Sequence, residues 1–278
     1  MIEYFPVRIN FSDKKKKVSI AEKYLRRYLK IAPLSVALCR SVEAKNFSSV
    51  KMKPPILDIG CGFGEFAQVF FEDAIDMGVD NSPLDLFAAS KVKKYKNLLL
   101  ADARDLPLAN GSYSTIISVS TMEHIKNADK VFKEAYRVLK PSGTFAITIE
   151  TDRVDKHTLY RPFLKKIGMN FLSKVLTREF NTLFHRHLLL SRKEWEKRIK
   201  KAGFVIEESR YIVSPTVIQL FDIFLITAWP SQLLRPILGK RIVYHPEFFV
   251  NLLTALFLKY VDDEESSGTV LFLVARKA

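Results

Sequence analysis

The chain has 278 residues, 48% hydrophobic, 27% charged and 12% aromatic, with a net charge of +14 and a mean hydropathy of +0.02. That apolar fraction excludes a disordered chain, and 10 glycines and 12 prolines are too few for a fibrous or low-complexity one. Two cysteines, Cys39 and Cys61, exclude a disulfide scaffold and a multi-cysteine zinc site, so a reducing cytoplasm is the expected compartment.

Residues 1–53 read as a basic arm and a helical cap. No charged-then-apolar leader opens them. The arm ends in Lys14 to Lys17. From Val18 to about Arg40, Ala21, Tyr24, Leu25, Tyr28, Leu29 and Ala32 recur at helical spacing, and Pro33 is expected to kink or split the helix. Residues 41–53 read as a polar linker. The period then changes. Ile56 to Gly60 is a buried strand, Phe63 to Asp73 a helix, Ile75 to Asp80 a second strand, and Leu84 to Lys94 a helix started by Pro83. Asn97 to Ala101 is a third strand and Thr115 to Ser120 a fourth, separated by a loop with Pro107 and Asn110-Gly111 turn signals. A helix capped by Asn127 runs to about Lys140, stopped by Pro141-Ser142-Gly143, and Thr144 to Glu150 is a fifth strand. Unbroken alternation of this kind predicts an α/β fold, a doubly wound parallel sheet over 54–150 whose ligands bind at the carboxyl ends of the strands.

Residues 151–190 are basic and mostly helical, the expected lid. In 191–278, Ser191 caps a helix to about Ala202, Phe204 to Val213 is a strand, and Gly268 to Arg276 is the last one. Between these two strands lies an apolar helical insert, 214–267. No window of about 18 uncharged apolar residues exists anywhere, so no transmembrane helix is expected.

The chemistry sits in Leu57-Asp58-Ile59-Gly60-Cys61-Gly62-Phe63-Gly64-Glu65-Phe66: a strand, three alternate glycines, a helix. The pattern is not the dinucleotide fingerprint, because position 65 is Glu, and a carboxylate there repels a pyrophosphate. No Gly-Lys-Ser/Thr follows, so it is not a Walker A loop. Asp80 ends the second strand twenty residues after Gly60, where strand-end carboxylates bind ribose hydroxyls. Asp102-Ala103 follows the third strand; Leu106-Pro107-Leu108, Asn110-Gly111-Ser112-Tyr113 and Glu134 to Gly143 come after it in order.

This ordered set resembles the class I S-adenosylmethionine-dependent methyltransferases, and within them the type 11 group that includes quinone-biosynthesis enzymes. It departs at Ser114, where that family usually has Asp, and at Ser142, where it has Gly. The resemblance covers about residues 54–150, with a weaker tail to 213. It implies a Rossmann-like, mostly parallel seven-stranded sheet and S-adenosyl-L-methionine as cofactor. It also implies a cofactor site of Asp58, Gly60, Cys61, Gly62, Gly64, Asp80, Asn81, Asp102, Ala103 and Ser120. Asp80 would hold the ribose and Asp102 the adenine amine. Cys61 reads as part of a tight turn rather than as a reactive thiol.

Methyl transfer from a sulfonium is a direct displacement. It needs alignment and exclusion of water, while a general base is optional. The family has no fixed catalytic residue. The loop after the fourth strand, Ser120-Thr121-Met122-Glu123-His124, lies where the methyl group should point. His124 is the candidate base; the alternative is that it and Glu123 shape the loop. Thr121, Glu123, His185 and His187 are the candidate acceptor contacts. A metal site from His185 and His187 lacks a third ligand, and none is expected.

Charge divides the chain: residues 1–55 carry +9, 56–150 carry −3 and 151–278 carry +8. Basic flanks suit solubility, a polyanion or an anionic membrane. The acceptor loop has no Asn/Asp-Pro-Pro-Tyr/Phe motif, and the chain has no Pro-Cys pair or recognisable RNA module, which makes nucleic acid the weaker partner. The insert crowds Val217 to Trp229, Leu233, Leu234, Ile237, Leu238 and Phe248 to Leu258 around Arg235, Lys240 and Arg241. It suits peripheral contact with an anionic membrane, a tunnel for a lipid-like or isoprenoid small-molecule acceptor, a homodimer interface, or plain packing. The expected activity is methyl transfer to such an acceptor. The alternatives are an RNA methyltransferase and a non-catalytic cofactor-binding protein.

Overall fold

The structure is a computed structural model that describes residues 18–225, 243, 245–263 and 267–278. Its strands are β1 (Ile56–Ile59), β2 (Ile75–Asp80), β3 (Tyr95–Leu100), β4 (Tyr113–Val119), β5 (Leu139–Glu150), β6 (Phe204–Ile212) and β7 (Val270–Lys277). They form one seven-stranded sheet in the order β3-β2-β1-β4-β5-β7-β6. The first five are parallel, and β7 runs antiparallel to both β5 and β6. The mostly parallel, doubly wound sheet expected from the alternation is what the chain adopts. The strand order turns from β1 to β4, so the exits of these two strands diverge and leave a crevice between them.

Helices cover both faces. On one lie α1 (Ile20–Leu29), α2 (Leu34–Phe47), α3 (Glu65–Phe70), the helical residues 215–225 (α10) and α11 (Glu247–Asp262), packed through Leu25, Phe47, Phe66, Val217, Val250 and Phe272. On the other, α5 (Ala128–Val138) and α9 (Arg192–Lys201) bury Phe132 and Trp195 edge to face at 6.2 Å. Burial of each such side chain is worth about 1.5–3 kcal/mol. Helix α4 (Pro83–Val92) joins β2 to β3, and α6 (Val154–His157), α7 (Tyr160–Lys166) and α8 (Asn170–Leu183) follow β5.

Several local expectations are corrected. Residues 41–53 are not all linker, because α2 runs on to Phe47. Its polar residues mislead because they point inward: Ser41, Glu43 and Asn46 are buried, and Ser41 and Asn46 donate back to the carbonyls of Ala37 and Val42. Helix α3 is shorter than expected, since its last turn gives way to an extended Phe71. Helix α5 stops at Val138, and β5 begins at Leu139 rather than Thr144. Leu139 pairs with Tyr113, and the strand then passes an irregularity with Ser142 at φ +58°. Asn127 holds the capping position of α5 without a side-chain hydrogen bond.

The described part of the insert packs largely as core. Val217, Ile218, Val250, Leu253 and Val261 are buried. Arg26 of α1 binds Asn251 at 2.7 Å and pairs with Glu247. The arm with Lys14 to Lys17, and Trp229, Leu233, Leu234, Arg235, Ile237, Leu238, Lys240 and Arg241, lie outside the described residues. Among the described residues no helix is long and apolar enough to cross a membrane.

Candidate functional site

A cavity of about 1090 Å³ opens at the carboxyl ends of β1, β2, β4 and β5. Every site residue expected from the sequence lines it except Gly64, which instead caps α3 at φ +80°.

One wall is the glycine turn. Gly60 sits at φ +75°, and a Cβ there would stand 2.2 Å from Cγ2 of Thr121, so no side chain fits beside the turn after β4. At Gly62 a Cβ would meet nothing within 4 Å, which leaves open room over the backbone. Asp80 ties the two strand exits together. Its Oδ2 accepts from the Gly62 amide at 2.8 Å and its Oδ1 from the Ser82 amide at 2.9 Å. A carboxylate has about four acceptor positions, so Asp80 keeps capacity for ligand hydroxyls. Asn81 and Ala103 line the same wall.

Asp58 is buried beneath the turn and accepts from the Tyr95 hydroxyl at 2.8 Å. Burial pushes its carboxyl up to about 7 against that hydrogen bond, with Asp80 adding to the rise. Burial, then Asp58 and Asp80, drive the Cys61 thiol far above its ordinary range, so it is inert. At the rim Asp102 is clasped by its neighbour: Arg104 donates Nε to Oδ1 at 2.9 Å and Nη2 to Oδ2 at 2.6 Å.

The facing wall is a cluster of buried charge. Glu43 accepts from Ser120 Oγ at 2.5 Å, Thr148 Oγ1 at 2.8 Å and Arg40 Nη1 at 2.7 Å. The Ser120 hydroxyl is therefore committed to Glu43, while its backbone stands at φ +47° against the cavity. Glu150 pairs with Arg186, whose Nη2 donates to Oε1 at 2.9 Å while Nε lies against Oε2. Burial alone raises the Glu150 carboxyl, but Arg186, His124 and Arg40 outweigh it and hold it low.

Glu123 is different. It is fully buried, and among the described residues neither carboxylate oxygen has a hydrogen-bond partner. Burial first, then the Glu150 charge, raises its carboxyl. With two guanidiniums against three carboxylates, a proton on Glu123 leaves the cluster neutral. His124 lies beside it, Nε2 at 4.0 Å from Glu123 Oε1. Its Nδ1 faces the His185 carbonyl at 3.2 Å. A carbonyl only accepts, so in the neutral ring Nδ1 carries the proton and Nε2 presents a lone pair. Burial lowers the His124 pKa and favours that neutral form. The backbone carbonyl of Glu123 accepts from the amides of His187 and Leu188. His185 and His187 thus meet the β4 loop through their main chain. Among the described residues no group of three His, Cys, Asp or Glu could hold a metal ion.

The far end of the cavity is apolar. Phe180 and Phe184 of α8 stand 5.2 Å apart, Phe221 of α10 lies 6.2 Å from Phe184, and Ile218 and Leu225 complete the lining.

Sequence reasoning missed Arg40, Glu43, Glu150 and Arg186. The available signal was Arg40 and Glu43 at i and i+3 within an otherwise apolar helix, a pair that must find its partners inside.

The site fits a nucleoside-sized cofactor: room above Gly62, a strand-end carboxylate with acceptor capacity to spare, and an adjoining apolar chamber. Comparison with known proteins agrees. Residues 57–147 match the methyltransferase domain family. The chain is 30% identical to the ubiquinone/menaquinone biosynthesis C-methyltransferase UbiE of Rickettsia bellii, over 56% of this chain and 69% of that protein. It is 27% identical to the sterol 24-C-methyltransferase erg6 of Aspergillus fumigatus, over 35% of this chain but only 28% of that longer protein. A SAM-dependent methyltransferase from Thermotoga maritima shares the fold with a TM-score of 0.55 at 18% identity, covering 94% of this chain and 100% of that one.

Proposed function

The chain belongs to the type 11 family of S-adenosylmethionine-dependent methyltransferases, and from that premise we propose that it methylates a lipid-like small molecule. The observation that carries the proposal is the continuity of one cavity from Gly62 and Asp80 to Phe180, Phe184 and Phe221. A polar nucleoside end and an aromatic end in a single chamber suit a cofactor and an amphipathic acceptor side by side. Relatives that act on sterols and on quinone precursors support an acceptor of that class.

When bound, S-adenosylmethionine supplies a methyl group on a positively charged sulfur, which a nucleophile takes by in-line displacement. The residues of this chain bind, orient and move a proton. Asp80 accepts from the ribose hydroxyls while its other oxygens stay on the Gly62 and Ser82 amides. Asp102 faces the adenine end once Arg104 swings aside. The aromatic end holds the acceptor and keeps water out. His124 Nε2 takes the proton that an acceptor O–H, N–H or activated C–H releases, and Glu123, neutral and buried beside it, steadies the resulting imidazolium by yielding its own proton to the cluster. The intact glycine turn and Asp80 favour an enzyme over a non-catalytic binding protein.

The test is incubation of the protein with labelled cofactor and with lipid, RNA and small-metabolite extracts, each analysed by mass spectrometry. Label is expected in the lipid fraction and absent with Asp80→Ala. Label confined to RNA, or none in any fraction from protein that binds S-adenosylhomocysteine, overturns the proposal.

A further inference from the structure

The corner between α7 and α8 exposes seven consecutive residues, Lys165-Lys166-Ile167-Gly168-Met169-Asn170-Phe171. Phe171 is 82% exposed, Phe163 one turn earlier 60% and Ile167 51%. Single exposed apolar residues are ordinary, but several large ones on one projecting corner mark an interaction surface. The surrounding charge is one-sided. Between residues 156 and 178 there is no Asp or Glu, and Lys165, Lys166 and Lys174 make no ion pair among the described residues.

We propose that this corner docks the protein on an anionic membrane, with Phe163, Ile167 and Phe171 entering the headgroup boundary and the three lysines meeting lipid phosphates. The combination selects the partner. A polyanion such as RNA would satisfy the lysines yet leave three large apolar side chains in water. A bilayer surface offers both an apolar layer and negative charge within one side chain's reach.

The placement gives the contact a purpose. Helix α8 runs from the corner to Phe180 and Phe184 at the apolar end of the main cavity. Leu159, Tyr160, Phe163 and Asp222 line a second hollow of about 450 Å³, and Asp222 lines both. An acceptor dissolved in the bilayer therefore meets, beside the docking corner, an apolar approach to the site. The inference rests on the lipid-like acceptor reading for that purpose, but the contact itself can be tested alone.

The full chain is floated with vesicles of phosphatidylcholine and phosphatidylglycerol in equal parts, and with phosphatidylcholine alone. Two variants probe the corner, Ile167→Asp/Phe171→Asp and Lys165→Glu/Lys166→Glu. A charge-matched control, Lys197→Glu/Lys200→Glu, lies on α9 across the sheet. Calorimetry with S-adenosylhomocysteine verifies that each is folded, and either corner variant suffices if the other is not. The expected result is binding to the anionic vesicles only, lowered about tenfold or more by each corner variant and about threefold or less by the control. Equal loss in corner and control variants overturns the assignment, as does unchanged flotation of the corner variants. So does a corner that governs self-association or RNA retention while vesicles are ignored. Absence of flotation by a wild type that still methylates detergent-dispersed lipid overturns the docking and leaves the acceptor reading standing.

Discussion

The two walls of the cavity are built on opposite terms. The glycine wall is backbone held by one carboxylate, with two Asp80 oxygens seated on two amides. The facing wall is side-chain charge taken out of water, two ion pairs and one unpartnered carboxyl. The first wall needs little beyond local geometry and serves any acceptor. The second depends on long-range partners and is where this chain can differ from its relatives. Cofactor binding and acceptor chemistry should therefore fail separately.

The sharpest break is Asp80→Ala. It frees two backbone amides and removes the ribose acceptors, and S-adenosylhomocysteine affinity should fall by about a hundredfold or more in calorimetry. Glu123→Gln, on the other wall, should leave that affinity within about threefold while slowing methyl transfer. Comparable losses of cofactor affinity in both would erase the distinction between the walls.

Next in size is Arg186→Met. It strands the Glu150 carboxylate in the interior, and urea unfolding should register a loss of about 3–5 kcal/mol. Adding Glu150→Gln should recover much of it, because the penalty belongs to the orphaned charge.

The glycine wall carries its own pH signature through Asp58. Above pH 3.8 the unfolded carboxyl gives up its proton, whereas the folded one keeps it until about pH 7. The folded state binds more protons across that window, so stability falls as pH rises through it. Asp58→Asn should flatten the slope by about 2–4 kcal/mol. A slope of the opposite sign, or one that Asp58→Asn leaves untouched, would place the uncharged group elsewhere.

The smallest effect belongs to Arg104→Ala. Its clasp on Asp102 is exposed on both sides, and such pairs are worth little. No measurable change in melting temperature is expected, and cofactor affinity should stay level or rise slightly as Asp102 is released.

The same contrast explains what could be read in advance. The strands β1 to β5, the turn at Gly60 to Gly64, and Asp80 and Asp102 at their strand ends were legible because each signal is contiguous or sits at a fixed short spacing. Glu43 was not, because its meaning depends on Ser120 and Thr148, both far away in sequence. A stretch such as Ser41 to Asn46 looks solvated until the sheet that buries it is in place. Arg186 was hidden likewise between two histidines that drew attention by residue type, while its partner Glu150 looked like an ordinary strand end. The apolar insert was read as a surface element. In its described part the hydrophobicity belongs mostly to the core with α1 and α2, and the exposed grease sits on α7 and α8 instead.

The two amides that His187 and Leu188 give to the Glu123 carbonyl have a mechanical consequence. They fasten the segment after α8 to the turn that carries Glu123 and His124. Helix α8 has 14 residues, a strut of about 21 Å at 1.5 Å per residue, with the exposed corner at one end and this fastening at the other. A load applied at the corner is thus delivered to the acid and the imidazole, so the place where the protein is held and the place where a proton would move form two ends of one lever.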